Sequence, residues 1–180
     1  MDDVLILLYL LFGVASNNIW TTSVPNVNEP NSSLTYYIHI GERTSCTLRV
    51  TGSLLTQILS EPTFNVLRTQ EQLGYVVMCS PWVLAGSGCS GIRIVIQSER
   101  GPAYLESRVD AFLDGMKTVI EEMKDEEFAD QKNGLEKKLM EKVKTVQEET
   151  NIFWTHIDSG YLDFFRRKFI RFGHASSCRS

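Results

Sequence analysis

Residues 91–123 place a strand pattern directly before a long helical pattern, and this order restricts the possible folds more than any other feature. Isoleucine stands at positions 92, 94 and 96 and alternates with polar or smaller residues, which predicts a half-buried strand. Pro102 after Gly101 fits the start of a helix, because proline is favoured in the first helical turn. The apolar residues of that helix recur every three or four positions, and those expected to face the core are Leu105, Val109, Phe112, Met116, Val119, Ile120 and Met123.

Two further strand patterns and an earlier helix precede this region. Apolar residues at every second position of 34–40 predict a half-buried strand that ends at Gly41. Residues 73–80 are apolar and rich in β-formers, and with 91–98 they predict an antiparallel hairpin joined by a loop over 81–88. A helix is predicted over 45–59, a break at Pro62, and a short helical turn over 63–67.

Two more helices are predicted after residue 124. The first of these two begins at Asp125 as its cap and buries Phe128, Leu135, Leu139 and Val143. The last helix begins near Gln147 and buries Ile152, Phe153, Ile157, Tyr161 and Phe164. The element order predicts an α+β fold, in which an antiparallel sheet carries helices packed on one face.

The segment 61–75 combines a helix-to-strand transition with two strong hydrogen-bond donors. Arg68 ends the apolar helical part, and Tyr75 stands seven residues later at the start of the strand. Arginine donates through a planar fork and tyrosine through a phenol, so both suit peptide carbonyls or carboxylates. The spacing by itself fits either a ligand-binding corner or a pair of side chains that cap a helix and pack a strand.

The sequence EPTFNVLRTQEQLGYVV at 61–77 resembles the signature of the C-terminal half of insulysin- and pitrilysin-type zinc metallopeptidases, the inverzincins. The similarity continues through residues 91–99 and 104–109 and extends from about Asn28 to about Arg167. The resemblance implies a metallopeptidase-domain-like fold, incomplete at both ends. It also implies that Arg68 and Tyr75 bind the peptide substrate and help to stabilise the oxyanion formed at the scissile carbonyl.

The zinc site of that family is not expected in this chain. The family binds zinc with an HxxEH helix, in which two histidines on one helical face hold the metal and the glutamate activates water. The nearest match here, residues 39–43, has Arg43 in place of the second histidine, and His156 and His174 have no histidine at ligand spacing. We therefore expect no catalytic residue, no metal ligand and no cofactor in this chain. Zinc is expected only in the complete enzyme, on an HxxEH-bearing N-terminal half that the resemblance implies as a partner.

Other catalytic groups are also not expected. The carboxylates at 121–127 span the end of one predicted helix and the start of the next, where solvated charge is usual. Ser87 lacks the strand-to-helix turn of a nucleophile elbow. Cys79 and Cys89 have no histidine placed to lower a thiol pKa. These two cysteines flank the predicted hairpin and could pair in an oxidising compartment, but free thiols are the expectation.

Composition and charge limit the remaining classes. With 180 residues and 43% hydrophobic content, the chain can form one domain with a substantial core. A net charge of −4 argues against a nucleic acid partner, because phosphate binding requires a basic face. The apolar run 4–15 is too short for a bilayer span of about 20 residues, so no transmembrane anchor is expected.

The domain boundaries follow from the resemblance. Residues 1–27 are expected to be an apolar N-terminal segment and linker unlike the family, 28–167 the peptidase-like domain, and 168–180 a basic, disordered tail. The family's opening strand and helix are expected to be absent, which would leave one sheet edge uncovered. Asp2 and Asp3 lie where a signal peptide carries basic residues, so we expect a cytoplasmic location, with secretion through residues 1–15 left open.

Three functional hypotheses remain at this point. The first is the substrate-binding C-terminal region of an insulysin-like metalloendopeptidase, inactive without the HxxEH-bearing half. The second is a non-catalytic peptide-binding or scaffold module of the same family. The third is a small, signal-bearing α+β protein that has no role in proteolysis and is similar to the family only in structure.

Overall fold

The computed structural model describes residues 3–8, 18–23, 26, 28–42, 44–83, 88–158 and 164. Within them, strands β1 (Asp3–Leu8), β2 (Ile19–Ser23), β3 (Ser32–Glu42), β4 (Val76–Val83) and β5 (Cys89–Ser98) form one sheet in the order β2-β1-β3-β5-β4. The helices of the same residues are α1 (Cys46–Thr63), α2 (Pro102–Glu121), α3 (Asp125–Met140) and α4 (Val146–Asp158). Every strand pair is antiparallel except β1 with β3, which is parallel. The predicted α+β class is confirmed.

The hydrophobic core lies between one face of the sheet and helices α1 and α2. Leu34 of β3 and the three isoleucines of β5 are fully buried, as are Leu105 and Val109 of α2. The alternation in β5 and the helical repeat of α2 therefore place their side chains where the sequence predicts. Val119, near the end of α2, is exposed, and Met123 lies beyond the helix, which ends at Glu121.

The hairpin of β4 and β5 is longer than predicted and begins later. Pro81 belongs to β4, opposite Ile92, rather than to the connecting loop. Proline has no N–H to donate, and it is tolerated at this position because β4 is an edge strand with a neighbour on one side only. The predicted strand residues 73–75 lie before β4 and form part of the turn that leads into it.

The N-terminal residues are not only a linker. β2 lies inside residues 1–27, which were predicted to be an apolar segment and linker, and its five side chains are exposed. β1 pairs with β3 over Leu5–Leu34 to Leu8–Tyr37. The edge of β3 that we expected to be uncovered is therefore occupied by β1.

The sheet face opposite the core is covered in part by its own aromatic residues. Tyr37 alternates along β3 with the core residues Leu34 and Tyr36, so the half-buried pattern puts it on the other face, and yet it is fully buried. The Trp82 ring packs edge-on against it, with 5.6 Å between the ring centroids. A side chain on Gly91 of the intervening strand would collide with the Tyr37 ring, so glycine provides the space for this contact.

Helix boundaries differ from the sequence predictions at three places. Helix α1 is capped by Ser45, whose side chain accepts a hydrogen bond from the Leu48 N–H, and it continues through Pro62 instead of breaking there. Helix α3 has Lys124 at its N-cap, so Asp125 is its first helical residue. Leu135 is buried as predicted, whereas Phe128 is exposed and Val143 lies beyond the end of α3.

Helix α4 is the largest departure from the predicted burial. It forms where predicted, but none of its residues is buried. Phe153 is 41% exposed and Ile157 is 49% exposed. Among the predicted core residues of this helix, only Ile152 is half-buried; Phe164 is exposed and Tyr161 lies outside the described residues. The predicted tail 168–180 also lies outside them. No helix in the described part of the chain has the length and apolar character needed to cross a bilayer.

Candidate peptide-binding corner

The corner comprises residues 64–75, which connect α1 to β4. Pro62 contributes no N–H to the end of α1, and the Thr63 hydroxyl donates to the Leu59 carbonyl over 2.7 Å. Both features disturb the regular α-helical hydrogen bonds at that point. The chain then adopts a π-helical turn over Phe64–Gln70, closed by a 2.9 Å hydrogen bond from the Glu71 N–H to the Val66 carbonyl. Such wide turns are frequent at functional sites.

Two buried leucines hold the corner to the core. Leu67 is fully buried and Leu73 is 2% exposed. The Leu73 N–H donates to the Leu67 carbonyl over 3.0 Å, which closes the turn between them. Gln72 has a φ of 51°, a left-handed conformation that non-glycine residues rarely adopt.

Strand β5 anchors the other side of the turn. The Ser98 hydroxyl is buried and donates a hydrogen bond to the Leu73 carbonyl. A Cβ at Gly74 would collide with the Gln97 carbonyl oxygen, so the backbone approaches β5 more closely than any other residue type permits. Tyr75 follows directly after this contact, and its backbone position is therefore fixed by β5.

The two predicted site residues meet on one surface of the corner. The Arg68 guanidinium carbon lies 5.8 Å from the centre of the Tyr75 ring and 4.8 Å from the centre of the Phe64 ring. Tyr75 is 85% exposed and Phe64 is 43% exposed, whereas Arg68 is half-buried. A cation beside two aromatic rings is attracted to their faces. The result is an exposed surface with donors and aromatic area suited to a peptide.

An ion pair that the sequence did not reveal ties the corner to α2. The Arg108 Nε and Nη2 atoms each donate to one oxygen of the Glu71 carboxylate, both over 2.7 Å. The hydrogen bond from Arg108 lowers the pKa of Glu71, against the opposing effect of burial, and the same contact raises the pKa of Arg108. The two residues are 37 positions apart, so no local pattern predicts their contact.

Cys79 is not placed as a nucleophile. Cys79 lines a cavity of about 790 Å³ beside Phe64. Burial raises the pKa of the Cys79 thiol to about 11, although a hydrogen bond with Thr63 opposes the shift. A thiol with that pKa is protonated at neutral pH and is a poor nucleophile. Cys79 lies opposite Ile94, which is five residues along β5 from Cys89, or about 16 Å in a strand, so these two cysteines do not form a disulfide with each other.

The described residues do not provide a zinc site. Among them, no three His, Cys, Asp or Glu side chains lie together in a way that could hold a metal ion. His39 is exposed on β3, while Arg43 and His174 lie outside the described residues. The carboxylates at 121–127 are exposed, as predicted. These residues do not fit the zinc ion of the resembled family, and we assign no metal-dependent step to them.

Comparison of this chain with known proteins shows which family it resembles. A family profile described as "PQQ synthase PqqF-like, C-terminal lobe domain 4" matches residues 54–154, which include the whole corner. The human insulin-degrading enzyme is 44% identical over 113 residues, which are 63% of this chain and 11% of that enzyme. A nardilysin-like protein of Arabidopsis thaliana is 35% identical over 161 residues, 87% of this chain and 16% of the relative.

A solved structure agrees with these sequence matches. The crystal structure of pitrilysin superimposes with a TM-score of 0.64 at 27% identity, over 79% of this chain and 15% of pitrilysin. The chain thus spans only a small part of each relative that it matches. Since the family profile covers more than half of the chain and the fold agrees, the chain belongs to the insulysin/pitrilysin family of metallopeptidases, in which it corresponds to part of the C-terminal lobe.

Proposed function

We propose that this chain is a substrate-binding, non-zinc-bearing part of an insulysin-like metalloendopeptidase, in which Arg68 and Tyr75 orient a peptide for hydrolysis on another half of the enzyme. The observation that carries the proposal is the position of these two donors side by side on an exposed, well-anchored corner. An exposed tyrosine next to an arginine can donate to a peptide carbonyl or carboxylate. Membership of the metallopeptidase family supports this use of the surface.

The geometry indicates how each residue would contribute. Arg68 is held by its contacts with Phe64 and Tyr75, so its guanidinium loses little freedom when a peptide binds. The Tyr75 phenol reaches into solvent and is available for a bound carbonyl oxygen. Donors already aimed at a developing oxyanion stabilise the transition state more than the ground state. Arg68 and Tyr75 are therefore proposed to act on the reacting carbonyl of a peptide that they also bind.

A second arginine–tyrosine pair in the chain provides a matched control. The Arg100 guanidinium carbon lies 5.4 Å from the centre of the Tyr104 ring, close to the 5.8 Å of the corner. This pair lies around the start of α2, with Arg100 just before the helix and Tyr104 in its first turn, and outside residues 64–75. If any exposed arginine beside tyrosine bound peptides, the two pairs would behave alike. The proposal requires that they do not.

The experiment titrates the isotope-labelled chain with an unstructured peptide and records NMR shifts, then repeats this with Arg68→Ala, Tyr75→Phe, Arg100→Ala and Tyr104→Phe. We expect shifts centred on residues 64–75, and affinity that falls about tenfold or more for Arg68→Ala, the loss typical of a charged hydrogen bond. Changes at Arg100 and Tyr104 should leave affinity unaltered. Equal losses at both pairs, or none at either, would contradict the proposal.

Cleavage distinguishes the proposed role from that of a non-catalytic peptide-binding module. The chain is mixed with a separately expressed HxxEH-bearing N-terminal half of a relative, and peptide hydrolysis is measured. We expect restored cleavage, with kcat/KM lowered about 100-fold by Arg68→Ala, the scale for losing one oxyanion donor. Peptide binding without restored cleavage would favour the scaffold module.

A further inference from the structure

We propose that the ion pair between Glu71 and Arg108 is a positioning element that holds Arg68 and Tyr75 in their peptide-binding arrangement. This inference rests on the proposed function of the corner. It assigns a role to two residues that contact no peptide themselves and act through the backbone of the turn. Its basis is the geometry of the turn and of α2.

The position of Glu71 in the chain gives the first reason. It follows the last residue of the π-helical turn and precedes Gln72, which has a left-handed φ of 51°. Arg68 stands three residues before Glu71 and Tyr75 four residues after it. A force on the Glu71 side chain therefore acts at the centre of the segment that sets the Arg68–Tyr75 distance.

The form of the contact gives the second reason. Two parallel N–H···O bonds of 2.7 Å fix both the distance and the orientation of the carboxylate relative to the guanidinium. The side chains are 21% and 36% exposed for Glu71 and Arg108. The exposed Glu141–Lys144 pair, at 61% and 71%, has one such contact, and pairs of that kind stabilise little. The Glu71–Arg108 contact is the better placed of the two to constrain a backbone.

The rigidity of α2 gives the third reason. Arg108 is next to Val109 and one turn after Leu105, both of which are fully buried in the core. A positioning group acts best when it is mounted on such a fixed element. On its other side the same turn is held to β5 through the Ser98 hydrogen bond to Leu73. The turn is thus held from α2 and from β5 at once.

The test uses the 180-residue chain with Glu71→Gln, Arg108→Gln and Arg108→Lys, and with Arg100→Gln as the matched arginine control. Two quantities are measured by NMR: peptide affinity, and the part of the ring-current shift of the Arg68 side-chain protons that Tyr75→Leu removes, which reports their distance from the Tyr75 ring and excludes the shift due to the nearer Phe64 ring. We expect about tenfold weaker binding and a reduced ring-current shift for both Gln variants, because small displacements of binding groups cost this much or more. Arg108→Lys keeps the charge but not the fork and should lie between, while Arg100→Gln should match the parent.

The combination with Arg68→Ala separates positioning from general stabilisation. If Glu71 acts through Arg68, Glu71→Gln should add little further loss of affinity in a chain that already carries Arg68→Ala. Amide shifts of the core residues Ile94 and Val109 verify that each variant remains folded. Fully additive losses, or unchanged affinity and ring-current shift in both Gln variants, would overturn the inference.

The outcome also separates this inference from the proposed function. If Arg68→Ala leaves peptide binding unchanged while Glu71→Gln still removes the ring-current shift, the peptide-binding proposal fails and the structural positioning stands. If Arg68→Ala weakens binding but Glu71→Gln and Arg108→Gln alter neither quantity, the peptide-binding proposal stands and the positioning role is wrong.

Discussion

Helices α2 and α4 have similar apolar repeats in sequence, but the fold buries the apolar face of one and leaves that of the other exposed. In α2, Leu105 and Val109 are fully buried. Arg108, which stands between them in the sequence, forms the ion pair with Glu71 of the corner. In α4 no residue is buried, and Trp154 is 65% exposed. The comparison shows that a 3.6-residue repeat specifies a helix with an apolar face, whereas burial of that face depends on whether another element packs against it.

The largest expected effect is on stability and tests this comparison directly. Leu105→Ala removes a fully buried side chain from the core and should lower the free energy of unfolding by about 2–5 kcal/mol. Ile157→Ala on α4 alters a side chain that is 49% exposed and should change it by less than about 0.5 kcal/mol. Urea unfolding followed by circular dichroism measures both. Similar losses would show that α4 is packed as tightly as α2.

A pair of glycines sharpens the contrast between the corner and the exposed side of α2. Gly74→Ala forces a Cβ against the Gln97 carbonyl oxygen and should destabilise the chain by about 1–3 kcal/mol. At Gly115, within α2, no atom lies within 4 Å of an added Cβ. Gly115→Ala should therefore stabilise the helix by about 0.5–1 kcal/mol. Thermal unfolding of the two variants should show Tm shifts of opposite sign, and shifts of equal sign would contradict the local geometry.

The smallest expected effect is on the stability that the Glu71–Arg108 ion pair contributes, and on how that contribution depends on pH. Contact with Arg108 lowers the Glu71 pKa in the folded state. The pair's contribution is therefore fully present above the ordinary glutamate pKa and is lost as the pH falls through the lowered folded value. Arg108→Gln should reduce stability at pH 7 and have progressively less effect in acid. Lys144→Gln, which removes the exposed Glu141–Lys144 pair before α4, should have no measurable effect on the free energy of unfolding, either at pH 7 or in acid.

Much of the fold could be predicted because its signals are local. The alternation of isoleucines in β5 and the helical repeat of α2 correspond to backbone periods of 2 and 3.6 residues, and each forms where predicted. Tyr37 illustrates the limit of that reasoning. Its position in the β3 alternation placed it on the exposed face, but the Trp82 ring from another strand buries it.

The candidate site was predictable in part for the same reason. Arg68 and Tyr75 lie in one short segment, so the sequence could bring them together and the structure places them 5.8 Å apart from guanidinium carbon to ring centre. Their role in peptide binding stays a prediction. Arg108 could not be found in this way, because its contact with Glu71 arises only when α2 packs beside the turn.

By itself the sequence determined the order of the helices and strands from β3 onward, the α+β class, the family signature at 61–77 and the proximity of Arg68 to Tyr75. These features depend on backbone preferences and apolar periods that residues close in the chain express together. Tertiary structure alone decided that Arg108 ties the π-helical turn to α2 and that the apolar face of α4 remains exposed. Each of these depends on contacts between segments far apart in the chain, which form only when the sheet and helices have packed together.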